Sequence, residues 1–251
     1  MYDYQEGKKR IQNILNNNLE VFESDRLPDD SNFTFENAYK SWISAIFVDI
    51  RNSTDLFTIK NKTEVSKIIR SFTSEIIEIL RLNSDNKEDC HLREIGIRGD
   101  CVYGIYTTPE KIDVYNIAKK AFYINTFMGM LNKLLSSKGF YSIKAGIGVA
   151  TAKELIVKAG RKGVGINNAV WIGSAVTIAS KLSGVANKNN ISPIAFSNSS
   201  YDNIIKLLIE NNSGKNPENW LKREYNFDCG YYYHGDIVDA EFYNWINNGM
   251  V

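Results

Sequence analysis

The sequence predicts an α+β fold: a ferredoxin-like sandwich of element order β-α-β-β-α-β, with an N-terminal helix before it and C-terminal strands after it. Three observations carry that expectation. The run Ala45-Ile46-Phe47-Val48-Asp49-Ile50 is apolar and rich in β-branched residues, as a buried strand is. Two long stretches, residues 63–82 and 109–139, repeat apolar residues at helical spacing. Between them, residues 92–106 read as two strands meeting at Arg98-Gly99-Asp100, and Gly-Asp between β-rich runs marks a tight hairpin.

Taken in order, residues 5–24 place Ile11, Ile14, Leu15, Leu19 and Phe22 three and four apart, which predicts an amphipathic helix. Pro28, Asp29, Asp30, Ser31 and Asn32 make a loop of residues 25–40. The chain thus divides into a helical extension over residues 1–40 and one main domain over 41–245. Val65, Ile68, Phe72, Ile76 and Leu80 mark the first long helix, and residues 83–89 a polar connection. Thr108 and Pro109 suit the cap and first turn of the second helix, and Gly139 its end. Residues 141–150 alternate as a strand, with Ile143, Ala145, Ile147 and Val149 on one face. Leu155-Ile156-Val157 and Ala169-Val170-Trp171-Ile172 are further strands. The Gly160-Arg161-Lys162-Gly163 segment between them reads as a flexible hairpin tip rather than a phosphate cradle. A helix over 173–185, a strand at 193–196 and a helix over 199–210 follow. Strands around Gly230, with a turn at His234-Gly235-Asp236, close the chain.

The bulk numbers bound the function. At 251 residues, 43% hydrophobic and 24% charged, the chain has an ordinary globular composition. Thirty Lys and Arg against 29 Asp and Glu leave a net charge of +1, so no global field favours nucleic acid or an anionic membrane. Three cysteines (Cys90, Cys101, Cys229) in no paired spacing fit a reducing cytoplasm, and the two histidines, His91 and His234, are too few for a zinc centre. No signal-peptide core and no long apolar run occurs, which predicts a cytoplasmic protein without a membrane span.

Two carboxylates stand out. Asp49 ends a buried strand, where an unpaired charge is costly. Asp100 sits on the hairpin that the strand-helix-hairpin order can bring beside it, and two close carboxylates repel unless a cation lies between them. Asn52, Ser53 and Thr54 form a strand-to-helix turn whose backbone N–H groups can meet an anion. In the 173–185 helix, Ala175, Ile178, Ala179 and Leu182 share one face, while Ser174, Thr177 and Lys181 line another, which reads as a solvated face sooner than as a hydroxyl and an ammonium addressing a ribose and a phosphate.

Phe47-Val48-Asp49-Ile50, then Gly99-Asp100, then Trp171-Ile172-Gly173-Ser174-Ala175-Val176-Thr177-Ile178-Ala179-Ser180-Lys181 resemble, in this order and spacing, the class III nucleotidyl cyclase domain. The resemblance covers residues 40–245 and implies the class III cyclase fold. It implies that Asp49 and Asp100, with the Ile50 carbonyl, hold two Mn²⁺ or Mg²⁺ ions per site, and that residues 50–54 (Ile50, Arg51, Asn52, Ser53, Thr54) wrap the triphosphate. Thr177 takes the position of the family's ribose-orienting Asn, and Lys181 that of its transition-state Arg; Lys144 falls where many members place an Arg near the phosphates. It also implies a head-to-tail homodimer with an active site at each interface.

The purine cyclases of that family read the base with a polar pair at positions that fall here on Gly96 and Val170, neither of which can bond a purine edge through its side chain. This departure, with Ile97-Arg98-Gly99-Asp100 and Tyr233-His234-Gly235-Asp236, is similar to the bacterial pyrimidine cyclases of the Pycsar anti-phage systems. The implied reaction is UTP to 3′,5′-cyclic UMP and pyrophosphate, a messenger for a separate effector protein. Alternatives are cytidylate cyclase, adenylate or guanylate cyclase, and a nucleotide-binding domain without turnover. Arg51 and Arg98 are then candidates for base or triphosphate contacts. Lys for Arg at 181 supplies a point charge in place of a bidentate fork.

Overall fold

A computed structural model describes residues 1–28, 32–56, 58, 61–82, 92–161 and 166–251. The polar connection at 83–89, Cys90 and His91, residues 29–31 of the first loop, and Lys162-Gly163 lie outside the described residues.

The central strand β2, Asn37–Ile50, is flanked by β4, Cys101–Thr107, and β5, Ala145–Arg161, both antiparallel to it. β3, Leu92–Arg98, lies outside β4. With helices α3, Lys62–Arg81, and α4, Lys111–Ser137, these strands make the expected β-α-β-β-α-β unit with spatial order β3-β4-β2-β5. Ile46, Val48 and Ile50 point to the side where α3 and α4 pack through Ile68, Phe72, Ile76, Ile124 and Phe127, all within one buried cluster. On the other face Ala45, Phe47 and Ala150 pack on a single short helix, α5, Ala175–Val185. The sheet continues from β5 through β7, Ile194–Ser197, to β9, Gly230–Gly235, and β8, Lys222–Asn226; α6, Asn198–Glu210, covers it.

Several boundaries differ from the sequence expectation. The first helix, α1, Tyr4–Leu15, stops at Asn16-Asn17-Asn18, three poor helix formers. Val21 and Phe22 then lie in β1, Glu20–Glu23, which pairs in parallel with Asn37–Lys40 of β2, so residues 1–40 are not helical throughout. β5 is one 17-residue strand that joins the two separate strands expected over 141–150 and 155–157. It pairs with β6, Ile166–Ile172. α4 is capped by a reciprocal Glu110–Asp113 box rather than by Thr108, whose buried hydroxyl bonds Ser44 at 2.8 Å. Gly235 continues β9 instead of turning, and α7, Ala240–Asn247, capped by Asp239, replaces the last expected strand.

Candidate active site

Asp49 is the penultimate residue of β2 and stands in register with Cys101, the neighbour of Asp100. Gly99, at φ +64°, makes the turn that sets Asp100 there. The two carboxylates sense each other: burial pushes the Asp49 carboxyl above its usual range, the Asp100 charge pushes the same way, and Arg51 and Lys188 oppose. Among the described residues no group of three or more His, Cys, Asp or Glu gathers. Asp49 and Asp100 are thus two carboxylates on neighbouring strand ends, hard oxygen donors of the kind that suit Mg²⁺ or Mn²⁺.

Beyond β2 the chain turns through Asn52, at φ +54°, into α2, Ser53–Leu56, which Asp55 N–H secures on the Asn52 carbonyl at 2.9 Å. Asn52 is exposed with Thr54, Ser53 half so, and Asn52 shares an open cleft of about 810 Å³ with Lys144, so the structure brings these two expected phosphate contacts together. Arg51 differs. It is 8% exposed, and its Nη2 donates to Asp49 Oδ2 at 2.6 Å and to the Ser183 carbonyl at 2.7 Å, while Nη1 donates to the Gly184 carbonyl at 2.9 Å. These bonds tie its donors to protein acceptors, and Arg51 lines the same cleft as Asn52 and Lys144.

On α5, Ala175, Ala179, Leu182 and Ser183 are buried, and Ser174, Thr177 and Lys181 form the exposed face the spacing predicts. Among the described residues no hydrogen bond or ion pair joins Thr177 or Lys181 to Asp49 or Asp100. Lys181 instead reaches the Asp228 carbonyl at 3.3 Å, on the turn between β8 and β9. Two features that sequence reasoning missed hold this helix. Glu154, 1% exposed, accepts the Ala175 N–H at 2.6 Å and caps the helix in place of Ser174, whose side chain makes no cap bond. Its carboxyl is pushed up by burial and held down in part by the Ala175 and Ser174 N–H groups. Gly146 and Gly148, two apart on β5, let α5 approach: a Cβ on Gly148 would lie 2.1 Å from the Ala179 carbonyl. A Gly-x-Gly inside a strand was the available signal.

The two positions expected to face the base lie on β3 and β6. Gly96 lies in register with Tyr103, and a Cβ on it would lie 2.3 Å from that ring. The Tyr103 ring stacks on Phe47 at 5.0 Å, its hydroxyl donates to Glu94 at 2.6 Å, and the other Glu94 oxygen accepts the Trp171 indole N–H at 2.8 Å. One carboxylate thus ties together β3, β4 and β6, the strands that carry Gly96 and Val170. Burial and the Glu94 carboxylate push the Tyr103 phenol up to about 12, so it stays a donor. Val170 is exposed, as is Arg98 at the mouth of the hairpin.

A sheet with a lone helix on one face, two carboxylates at the end of its central strand and an exposed Thr-Lys face on that helix defines a nucleotidyl cyclase. The sequence is 54% identical to a uridylate cyclase of Treponema porcinum, over 100% of this chain and 82% of that protein. It is 31% identical to a uridylate cyclase of Gulbenkiania mobilis, over 97% of this chain and 95% of that one. The chain belongs to the uridylate cyclase family. Its fold matches the adenylyl cyclase CyaB of P. aeruginosa with a TM-score of 0.60 at 16% identity, covering 81% of this chain and 96% of that structure. No protein-family profile matches the sequence. Among the described residues no helix is long and apolar enough to cross a membrane.

Proposed function

We propose that this chain converts UTP to 3′,5′-cyclic UMP and pyrophosphate. The observation that carries the reading is the 54% identity, over the whole chain, to a protein named uridylate cyclase. In the reaction the ribose O3′ bonds to the α-phosphorus as the bond from that phosphorus to the bridging oxygen of the β-phosphate breaks; pyrophosphate leaves and the hydroxyl proton is released.

Asp49, Asp100 and the Ile50 carbonyl would hold two Mg²⁺ or Mn²⁺ ions, a donor set that fits because burial, with the Asp100 charge beside it, pushes the Asp49 carboxyl up and a cation would relieve both. Bound there, such ions acidify a hydroxyl and neutralise phosphate charge. The chain's own groups do the rest. Asn52, Ser53 and Thr54 wrap the triphosphate, with Lys144 on the cleft that Asn52 lines and the exposed Arg98 as a further contact. Lys181 offers an ammonium to the charge that develops on the phosphorus, and Thr177 orients the ribose. Their exposure on α5, with no bond to Asp49 or Asp100 of their own chain, supports a head-to-tail homodimer in which each site joins the carboxylates of one chain to the α5 of the other. Catalysis is positioning plus electrostatics.

Specificity follows from what the base meets. Gly96 and Val170 offer no polar side chain for a purine edge, and Tyr103 fills the space above Gly96. The product is a diffusible messenger, and its reader is a separate cyclic-nucleotide-responsive effector in anti-phage defence. Asp49→Ala and Asp100→Ala abolish cyclic UMP formation while the dimer stays folded; near wild-type turnover in either variant refutes the two-carboxylate assignment.

A further inference from the structure

Arg51 is the most committed side chain near the site. Beyond the bonds above, Nη2 and Nε both donate to the Asp49 carbonyl, at 3.0 and 3.2 Å. Its other carbonyl partners, Ser183 and Gly184, lie in the last turn of α5, where helix carbonyls lack intrahelical donors and partial negative charge collects. Gly146 makes room for this: a Cβ there would lie 2.9 Å from Nη2 and 2.5 Å from the Ser183 carbonyl. One guanidinium therefore touches both the first acidic ligand and the helix that carries Thr177 and Lys181. A planar fork with several donors can do this, whereas an ammonium cannot span the same acceptors.

We infer that Arg51 is a positioning residue that couples the two active sites of the dimer. It fixes the Asp49 carboxylate of one site and, through Ser183 and Gly184, sets the α5 that delivers Lys181 to the other. The inference rests on the shared-site dimer proposed above. It carries a cost: a fixed positive charge 2.6 Å from Asp49 Oδ2 opposes a second cation on the same carboxylate. Arg51 thus weakens metal affinity and is retained for geometry. That gives it a signature which a merely structural residue lacks, because metal binding and turnover move in opposite directions when it is removed.

The first arm of the test reads metal binding without nucleotide. Mn²⁺ titration, followed by the electron paramagnetic resonance of the free ion, should show Arg51→Gln binding about fivefold to tenfold more tightly than wild type, and Arg51→Lys, which keeps the charge, binding as wild type does. Cyclisation of UTP should fall about tenfold or more in kcat in both variants, with KM changed less. Weaker Mn²⁺ binding in Arg51→Gln, in parallel with lost turnover, overturns the inference.

The second arm uses mixed dimers of an Asp49→Asn chain with a Lys181→Ala chain, each inactive alone, which regain one composite site when combined. Arg51→Lys added to the Lys181→Ala chain lies beside the working Asp49. Added to the Asp49→Asn chain, it lies only beneath the working Lys181. Coupling requires slower turnover from both placements. Loss from the first alone means that Arg51 serves the carboxylate only, and loss from neither means that it positions nothing; both outcomes overturn the coupling. Parent chains that fail to complement reveal, before Arg51 is touched, that the shared-site reading itself is wrong, and the coupling falls with it. Thermal melting and gel filtration of each variant identify any that fails to fold, and the conservative Arg51→Lys then carries the test.

Discussion

Gly148→Ala puts a single methyl group where the structure has no room for it. The new Cβ would lie 2.1 Å from the Ala179 carbonyl oxygen, 2.3 Å from Ser183 N and 2.9 Å from Leu182 C. All three are backbone atoms of α5, which cannot swing aside as the tip of a side chain can. Ordinary contact begins at 3.4 Å, so the helix must move out by about 1.3 Å. Overpacking of this kind costs about 1–3 kcal/mol, or a fall of about 3–9 °C in melting temperature for a chain of this size. The functional cost is larger, because Thr177 and Lys181 ride on the displaced helix and a misplacement near 1 Å costs about 100-fold in rate. Initial rates of pyrophosphate release from UTP, measured beside a thermal melt, should show kcat falling far more than stability does. Gly129→Ala in α4 is the control: nothing lies within 4 Å of its added Cβ, and turnover should be unchanged. Turnover within twofold of wild type in Gly148→Ala, with an unchanged melt, refutes the claim that close approach to β5 sets the position of α5.

Other consequences follow from the same contacts. Glu154→Ala removes the carboxylate that caps α5 and should lower both stability, by at least about 1–2 kcal/mol, and kcat, whereas Glu154→Gln keeps an acceptor and most of the activity; chemical denaturation and initial rates check this. Tyr103→Ala opens the space above Gly96 and releases Glu94, so the ratio of UTP to ATP and GTP turnover should fall; an unchanged ratio dissociates Tyr103 from base choice. His234 is buried and accepts the Ser192 N–H on Nδ1 at 3.0 Å; burial, aided by Lys222 and opposed by Glu224, holds its pKa below the ordinary 6.5. As pH falls through 6.5 the unfolded chain takes up that proton first, so His234 subtracts stability below this pH and nothing above it. His234→Asn should therefore lose less melting temperature than wild type between about pH 7 and pH 5.5, and parallel losses contradict the assignment.

Much of the fold is legible in the sequence because local physics and tertiary packing agree over its core. The apolar run before Asp49, the two long amphipathic helices and the Gly99-Asp100 turn each sit where the pattern places them. The misreadings come where one pattern serves two structures. Leu19 and Phe22 repeat at a spacing that continues α1, yet three asparagines end the helix and an edge pairing with β2 claims Phe22. The expected strands at 141–150 and 155–157 are one, with Lys153 between them paired to Glu23 at 3.0 Å and Glu154 buried as the cap of a helix twenty residues on. That Asp49 and Asp100 come to neighbouring strand ends was legible because each lies in a short local motif, a strand end and a Gly-Asp turn. The bonds of Arg51 were not, because two of its acceptors are carbonyls more than 130 positions away. Gly146 and Gly148 read as weak strand residues until α5 is seen lying against them.

The most direct test of the central claim is the product formed by the purified chain from equimolar ATP, GTP, CTP and UTP with Mn²⁺, resolved by mass spectrometry. The site described here should yield 3′,5′-cyclic UMP as the main product. Cyclic AMP or GMP in its place would mean that Gly96, Val170 and Tyr103 do not exclude a purine, and cyclic CMP would contradict the choice of uracil.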